Sequence, residues 1–267
     1  GSVSNTFWIG TYEVTIQQYC DFLNAVATVE DTYDLYDPAM SRVKNSAGII
    51  QSGSAGAYSY SPANNAGDSS NRPITYVNWF DIARFANWMA NGQPVGPQGA
   101  STTEDGAYPL NGAEIGPAVE RNKINPNEGG APIFYIPTEN EWYKAAYYSP
   151  YLKGGRGGYY RYATASNIAP SNKAGSKSKT VNFIDDYSGT YYYSVPQTRY
   201  IDLGQNYLVD VGAYSASPSH YGTFDQSGGV YNWNDLDGSA SSLRGLRGGF
   251  FFAGTPSIQS VTFAQAS

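Results

Sequence analysis

Glu139 and Glu141 could do chemistry by type and spacing, because two carboxylates so close can divide general acid and base duties. The residues around them give a simpler account. In "IPTENEWYKAAYY", Thr138 stands where an N-cap would and Glu141 completes a capping box, and acids in a first helical turn are favoured by the helix dipole. Both glutamates are therefore read as helix-starting residues. Cys20, the single cysteine, excludes an intramolecular disulfide and any multi-cysteine zinc or iron–sulfur site. It shares a helical face with Ile16, Tyr19, Leu23 and Val26, which marks a buried structural thiol. His220, the single histidine, lies beside Pro218 in a turn-like stretch and reads as a solvent-facing loop residue. One imidazole cannot build an iron site.

Three helices must position whatever chemistry there is. "EVTIQQYCDFLNAVA" opens on a capping box of Thr15 and Gln18. "YVNWFDIARFANWMANG" carries an apolar stripe of Trp79, Ile82, Ala83, Ala86, Met89 and Ala90, stops at Gly92, and is expected to lie flat on a core. The third starts at Thr138 and turns Trp142, Ala145 and Ala146 inward. Between them run stretches rich in Gly, Ser, Asn and Pro, about residues 38–72, 92–131 and 150–220, of the length that marks functional or decorative loops. "SGSAGAYSYS" reads as a short edge strand, and "GGRGGYYRYAT" as a turn followed by a strand.

With 267 residues, 14% charged and 15% aromatic, including 25 Tyr and 30 Gly, the chain is rich in turns and tyrosine-studded surface, far from a helical bundle. A net charge of −6 argues against a nucleic-acid partner, which takes clustered Lys and Arg. No apolar run approaches the roughly 18 residues of a membrane span. Low charge with abundant Ser, Asn, Gly and Tyr leans towards an exported or cell-surface protein, and Gly1-Ser2 reads as an expression remnant that leaves room for a leader in the native protein.

Five motifs in order resemble the formylglycine-generating enzyme (sulfatase-modifying factor) family: Glu13-Val14-Thr15 with Tyr19; Pro73 to Trp79 with Asp81 and Ala83; Ile136-Pro137-Thr138-Glu139 with Glu141-Trp142; "YGTFDQSGGVYNW"; and "LRGG". The resemblance implies a single α+β domain over 1–267, with a C-type-lectin-like fold of small twisted antiparallel sheets, flanking helices and much irregular loop. It places "RGG" at the end of a central strand, with the residues after it on the family's active face. Family chains generally continue to a closing strand beyond Ser267; either the sequence here is shortened or that strand is absent, and its absence would leave a sheet edge unpaired.

The same resemblance marks departures. The family's oxidase chemistry uses two cysteines downstream of "RGG" that bind copper, and soft thiolates are what select Cu(I). The corresponding stretch, Ile258 to Phe263, has no cysteine, so no catalytic residue, no copper and no required cofactor are expected. Structural Ca²⁺ is the one open cofactor. In the family, carbonyls and a carboxylate of a "GNVWEW"-type motif can hold it. Here the motif is "GGVYNW", with Asn232 in place of the acid and backbone oxygens of Asp225, Gly228 and Val230 still able to coordinate, and a second family position would use Asn182.

The departures cluster, and the pattern resembles the variable proteins of diversity-generating retroelements, whose template adenines are randomised into codons for small, hydroxyl and aromatic residues. That implies a binding protein whose variable C-terminal face of Tyr231, Asn232, Asn234, Phe250, Phe252, Gly254, Thr255, Ser257, Ile258, Val261 and Phe263 meets a protein or other surface ligand. Exposed aromatics supply contact area with few rotors. Phe251 is expected to alternate into the core as a strand residue. The alternative is an enzyme with non-copper chemistry relying on Arg244, Arg247 and Asp235, for which the sequence offers no nucleophile–base pair. A purely structural exported domain is the third reading.

Overall fold

The first helix begins as its capping sequence dictates. Thr15 Oγ1 accepts from the Gln18 backbone N–H at 3.2 Å, and Gln18 Oε1 accepts from the Thr15 N–H at 2.9 Å. Helix α1 (Ile16–Val26) then buries Ile16, Tyr19, Cys20, Phe22, Leu23 and Val26. Against it pack α2 (Ala39–Arg42) and an antiparallel hairpin of β1 (Ile49–Ser52) and β2 (Ser59–Pro62), which contribute Met40, Ile49 and Tyr60 to one core. "SGSAGAYSYS" thus holds the turn of a hairpin as well as an edge strand. The computed structural model describes residues 3–173, 179–187, 190–240, 243–260 and 264–266.

Helix α3 (Trp79–Ala90) starts at an Asn78 N-cap whose box is completed by Asp81. It does not lie flat on one core. Trp88, with Phe85 and Met89, joins the core of α1, while Trp79, Phe80, Ala83, Ala86 and Ala90 build a second with Tyr108, Leu110 and Ile136. Its polar side is also covered, because the segment after Gly99 wraps over it. Arg84 grips Glu104 through Nε at 2.7 Å and Nη2 at 3.1 Å, and Asn87 Nδ2 donates to the carbonyls of Thr103 and Tyr108 at 2.7 and 2.8 Å.

Thr138 caps α4 (Glu139–Tyr147) with Glu141 in the reciprocal position, and Trp142, Ala145 and Ala146 face inward. Two small antiparallel pairs follow: β3 (Tyr148–Ser149) with β4 (Gly158–Tyr159), and β5 (Ile184–Tyr187) with β6 (Thr190–Tyr193). The last sheet has the order β7 (Asn232–Asn234), β8 (Arg244–Arg247), β9 (Ala264–Ala266), with Asn232 opposite Arg247 and Arg244 opposite Ala266. Arg247 therefore ends a central strand, as the resemblance implies. The edge expected to be bare is covered by β9. This mixture of short helices and small antiparallel sheets is an α+β architecture.

Beyond β8, Gly248 (φ 92°) and Gly249 (φ 75°) turn the chain sharply. The three phenylalanines that follow form a turn, not the alternating strand expected, because two left-handed residues in succession cannot continue a ladder. Phe251 is nonetheless the buried member, 8% exposed, with Phe250 and Phe252 half-buried beside it.

Candidate functional site

The turn after β8 is held by backbone bonds to the segment before β7. Gly228 N–H donates to the Gly248 carbonyl at 2.7 Å, and Phe251 N–H to the Gly229 carbonyl at 2.9 Å. On this frame Tyr231, 41% exposed, stacks on Phe250 with ring centres 5.3 Å apart and planes at 29°. Phe251 stacks on Tyr207 at 5.9 Å, and Phe252 meets Tyr207 and Tyr193 edge-on at 4.9 and 5.3 Å. The result is an aromatic ledge with a packed underside. Ser257 belongs to the same neighbourhood, since its carbonyl lies close to Gly249, and Thr255, on the same 3₁₀ turn, is half-buried, as is Gly254.

Other expected face residues serve elsewhere. Asn234 is 0% exposed; its Nδ2 donates to Glu139 Oε2 at 2.7 Å and its Oδ1 accepts from the Leu236 N–H at 3.1 Å. Ile258 is fully buried with Tyr162, Val181 and Phe183. Both support the face and are removed from its surface. Val261 and Phe263 lie outside the described residues. Glu139 and Glu141 are structural: Glu139 Oε1 accepts from Arg247 Nε at 2.9 Å and also from its Nη2, while Glu141 caps α4.

Asn232 is not placed as a cation ligand. Its Oδ1 accepts from Trp142 Nε1 at 3.2 Å, which turns Nδ2 towards Glu13 Oε1 at 2.8 Å and the Val230 carbonyl at 3.3 Å. An amide N–H₂ meets acceptors where the family motif would supply a carboxylate to a metal. Asn182 and Asp225 instead line a small cavity beneath the ledge, together with Glu13, Ser227, Gly228 and Gly229. Burial, and then the charge of Asp225, push the Glu13 carboxyl well above the usual range; burial likewise raises Asp225, which the Gly212 N–H partly offsets at 2.6 Å. Glu13 was visible in the sequence only as part of a motif. The segment before α1 brings its carboxylate to β7, where it accepts from Asn232 Nδ2.

The residues of the alternative, catalytic reading do not converge on an opening. Arg244 is buried between the rings of Trp79 and Phe80, 4.9 and 4.8 Å from its guanidinium carbon, and Arg247 is tied to Glu139 and the Ser260 carbonyl. Asp235 is buried, accepts from Tyr108 Oη at 3.1 Å, and is pushed up by burial to about 7. A wider cleft of about 670 Å³ lies near α1 and β1, lined by Glu30, Asp31, Asp34, Asp37, Tyr36 and Tyr58. None of the three residues of the catalytic reading lines it. Cys20 is fully buried, and burial raises its thiol to about 12, the character of an inert core cysteine.

Residues 2–266 match the sulfatase-modifying factor enzyme 1-like domain. The chain belongs to that family. Among solved structures it is similar to one titled "Crystal Structure of CarF", at 16% identity and a TM-score of 0.39, over 96% of this chain and 78% of that one. No curated protein matches it. Among the described residues no helix is long and apolar enough to cross a membrane.

Proposed function

We propose that this chain is a non-catalytic binding domain on a sulfatase-modifying-factor scaffold, and that its ligand, a protein or other surface-displayed molecule, docks on the ledge of Tyr231, Phe250 and Phe252. The observation that carries this reading is the Tyr231–Phe250 stack, half out of solvent, on a backbone pinned by the Gly228–Gly248 and Gly229–Phe251 bonds. Such a surface binds without an ordering penalty, since its rotamers are already fixed by packing. Support also comes from the sequence: the stretch where the family's oxidase carries its thiols has none, and the single cysteine is buried in the core around α1. The same face is the one a diversity-generating retroelement would vary, with the chain exported to meet its target.

The reading is tested by randomising Tyr231, Phe250, Phe252, Thr255 and Ser257 in a displayed library. Members should keep the parental melting transition, and selection against an arbitrary protein target should yield binders. A library confined to Asn234, Phe251 and Ile258 should be largely unfolded. If the first library fails to fold, the ledge is core and the reading is wrong. In the genome, a template repeat differing at adenines only in codons of the exposed positions would support the diversification mechanism; a locus with no such repeat would remove that part and leave the binding role.

A further inference from the structure

The cleft between the β1–β2 hairpin and the segment joining α1 to α2 has a volume of about 670 Å³, within the range of ligand sites. Its frame is fixed, because the N–H groups of Gly56 and Tyr58 donate to the Val29 and Thr28 carbonyls at 3.0 and 2.7 Å. Tyr36 and Tyr58 form aromatic walls, both half-buried and packed on the core of α1. The remaining polar side chains bring acceptors. Gln51 gives its Nε2 to the Tyr60 hydroxyl at 3.1 Å, which leaves the amide oxygen as its free end. Glu30, Asp31, Asp34 and Asp37 line the cleft with no basic residue among them. Asp31 and Asp37 are accounted for by the turn they hold: Asp31 accepts from the Leu35 and Tyr36 N–H groups at 3.0 and 2.8 Å and from Gln98 Nε2 at 2.9 Å, and Asp37 from the Ala39 N–H at 2.7 Å. Glu30 and Asp34 are exposed, and among the described residues neither side chain makes a hydrogen bond or an ion pair.

Acids on an open surface are ordinarily no more than a solvated face. Here they surround one cleft, with tyrosine rings between them and no cation to balance them, and a negative pocket with aromatic sides suits an organic cation. We propose that the cleft binds an arginine-bearing peptide segment of a partner protein. A guanidinium answers both features at once, since its plane stacks on a tyrosine ring while its fork of N–H donors reaches the carboxylates. An ammonium would meet the same acids as a point charge and lose the stacking. A bare divalent ion would leave the rings unused. The cleft is wider than one guanidinium, which leaves space for the residues on either side of the arginine. It shares no residue with the ledge of Tyr231, Phe250 and Phe252, so it is a second surface and stands whether or not the ledge binds a ligand.

The purified chain is titrated calorimetrically with a capped Gly-Arg-Arg-Gly peptide, and with the same peptide carrying lysine or the neutral isostere citrulline in place of arginine. One arginine peptide per chain is expected, with a Kd below about 1 mM that weakens as NaCl is raised. The lysine peptide should bind about twofold to fivefold more weakly for want of stacking, and the citrulline peptide should give no heat. Glu30→Gln with Asp34→Asn should weaken the arginine peptide about tenfold. The double variant should melt as the wild type does, since neither carboxylate holds a partner and asparagine readily takes the left-handed φ of 50° found at Asp34. One of Tyr36→Leu and Tyr58→Leu should erase the preference for arginine over lysine, and Tyr231→Ala should change nothing. An arginine peptide with no binding below about 1 mM overturns the proposal, as does a citrulline peptide that binds equally well. Binding that falls with Tyr231→Ala and survives the acid variant assigns the peptide to the ledge and overturns it too. If CaCl₂ gives heat that the acid variant loses while no peptide binds, the cleft takes an inorganic ion and the proposal is wrong.

Discussion

Neighbouring residues in the tail differ sharply in what they do, and substitution separates them. Phe251 packs between Tyr207 and its neighbours at 8% exposure, so Phe251→Ala removes a ring that the turn cannot close over, a loss of about 3 kcal/mol or more. Tyr231→Ala deletes a ring resting on the outside of Phe250 and should change stability by no more than about 0.5 kcal/mol. Urea midpoints at constant m-value distinguish the two, and equal losses would contradict the ledge geometry. The burial of one phenylalanine among three was legible in the sequence. Its neighbours' partners were not, because Tyr193 and Tyr207 come from a long Gly- and Ser-rich stretch whose tyrosines look alike until the chain is folded. Asn234 was misplaced for a related reason: an asparagine in a loop-like motif reads as surface, whereas here its two ends bridge Glu139 and the Leu236 backbone.

Among the elements, those that announce themselves locally are the capped helices. Thr138→Ala removes the oxygen that accepts from the Glu141 N–H at 3.3 Å and should lower stability by about 1 kcal/mol. The start of α1, α3 and α4 could be read in the same way, since a capping box needs only four consecutive residues. Strand β8 follows another logic. Gly245 sits opposite Asn234, and a Cβ there would lie 2.0 Å from Asn234 Oδ1, so Gly245→Ala must displace a side chain that holds Glu139. A loss of about 1–3 kcal/mol is expected, and in a Gly245→Ala, Asn234→Ala double variant the two effects should be less than additive by chemical denaturation. Independent, additive losses would show that the contact does not matter. Nothing local in the sequence names the partner of Gly245, which arrives across the sheet. The polar flank of α3 failed more completely as a local reading. Arg84 and Asn87 look like solvent residues on an amphipathic helix, and only the return of the chain at Thr103, Glu104 and Tyr108 buries them.

Across the whole molecule, the same wrapping that hides polar groups makes stability depend on pH in a direction opposite to that of most acids. Asp81 and Asp235 belong to different elements, and burial raises each from 3.8 to about 7, against the Asn78 N–H at one and the Tyr108 hydroxyl at the other. In the unfolded chain both lose their protons near 3.8, while the folded chain keeps them until about 7. The folded state therefore holds more protons throughout that window, and stability must fall as pH rises through it, by about 1.4 kcal/mol per pH unit for each group at most. Below the unfolded value the protonated groups contribute their full stability; above about 7 that contribution is gone. Guanidinium unfolding from pH 4 to pH 8 should show this decline, and Asp81→Asn with Asp235→Asn should flatten it while leaving the low-pH stability nearly unchanged, because the amide mimics the protonated acid. Glu13 and Asp225 are raised in the same sense, so they add to the slope. A pH profile of the Asp81→Asn, Asp235→Asn variant thus separates the two pairs: the slope it loses belongs to Asp81 and Asp235, and the slope that remains belongs to Glu13 and Asp225 in the cavity beneath the ledge.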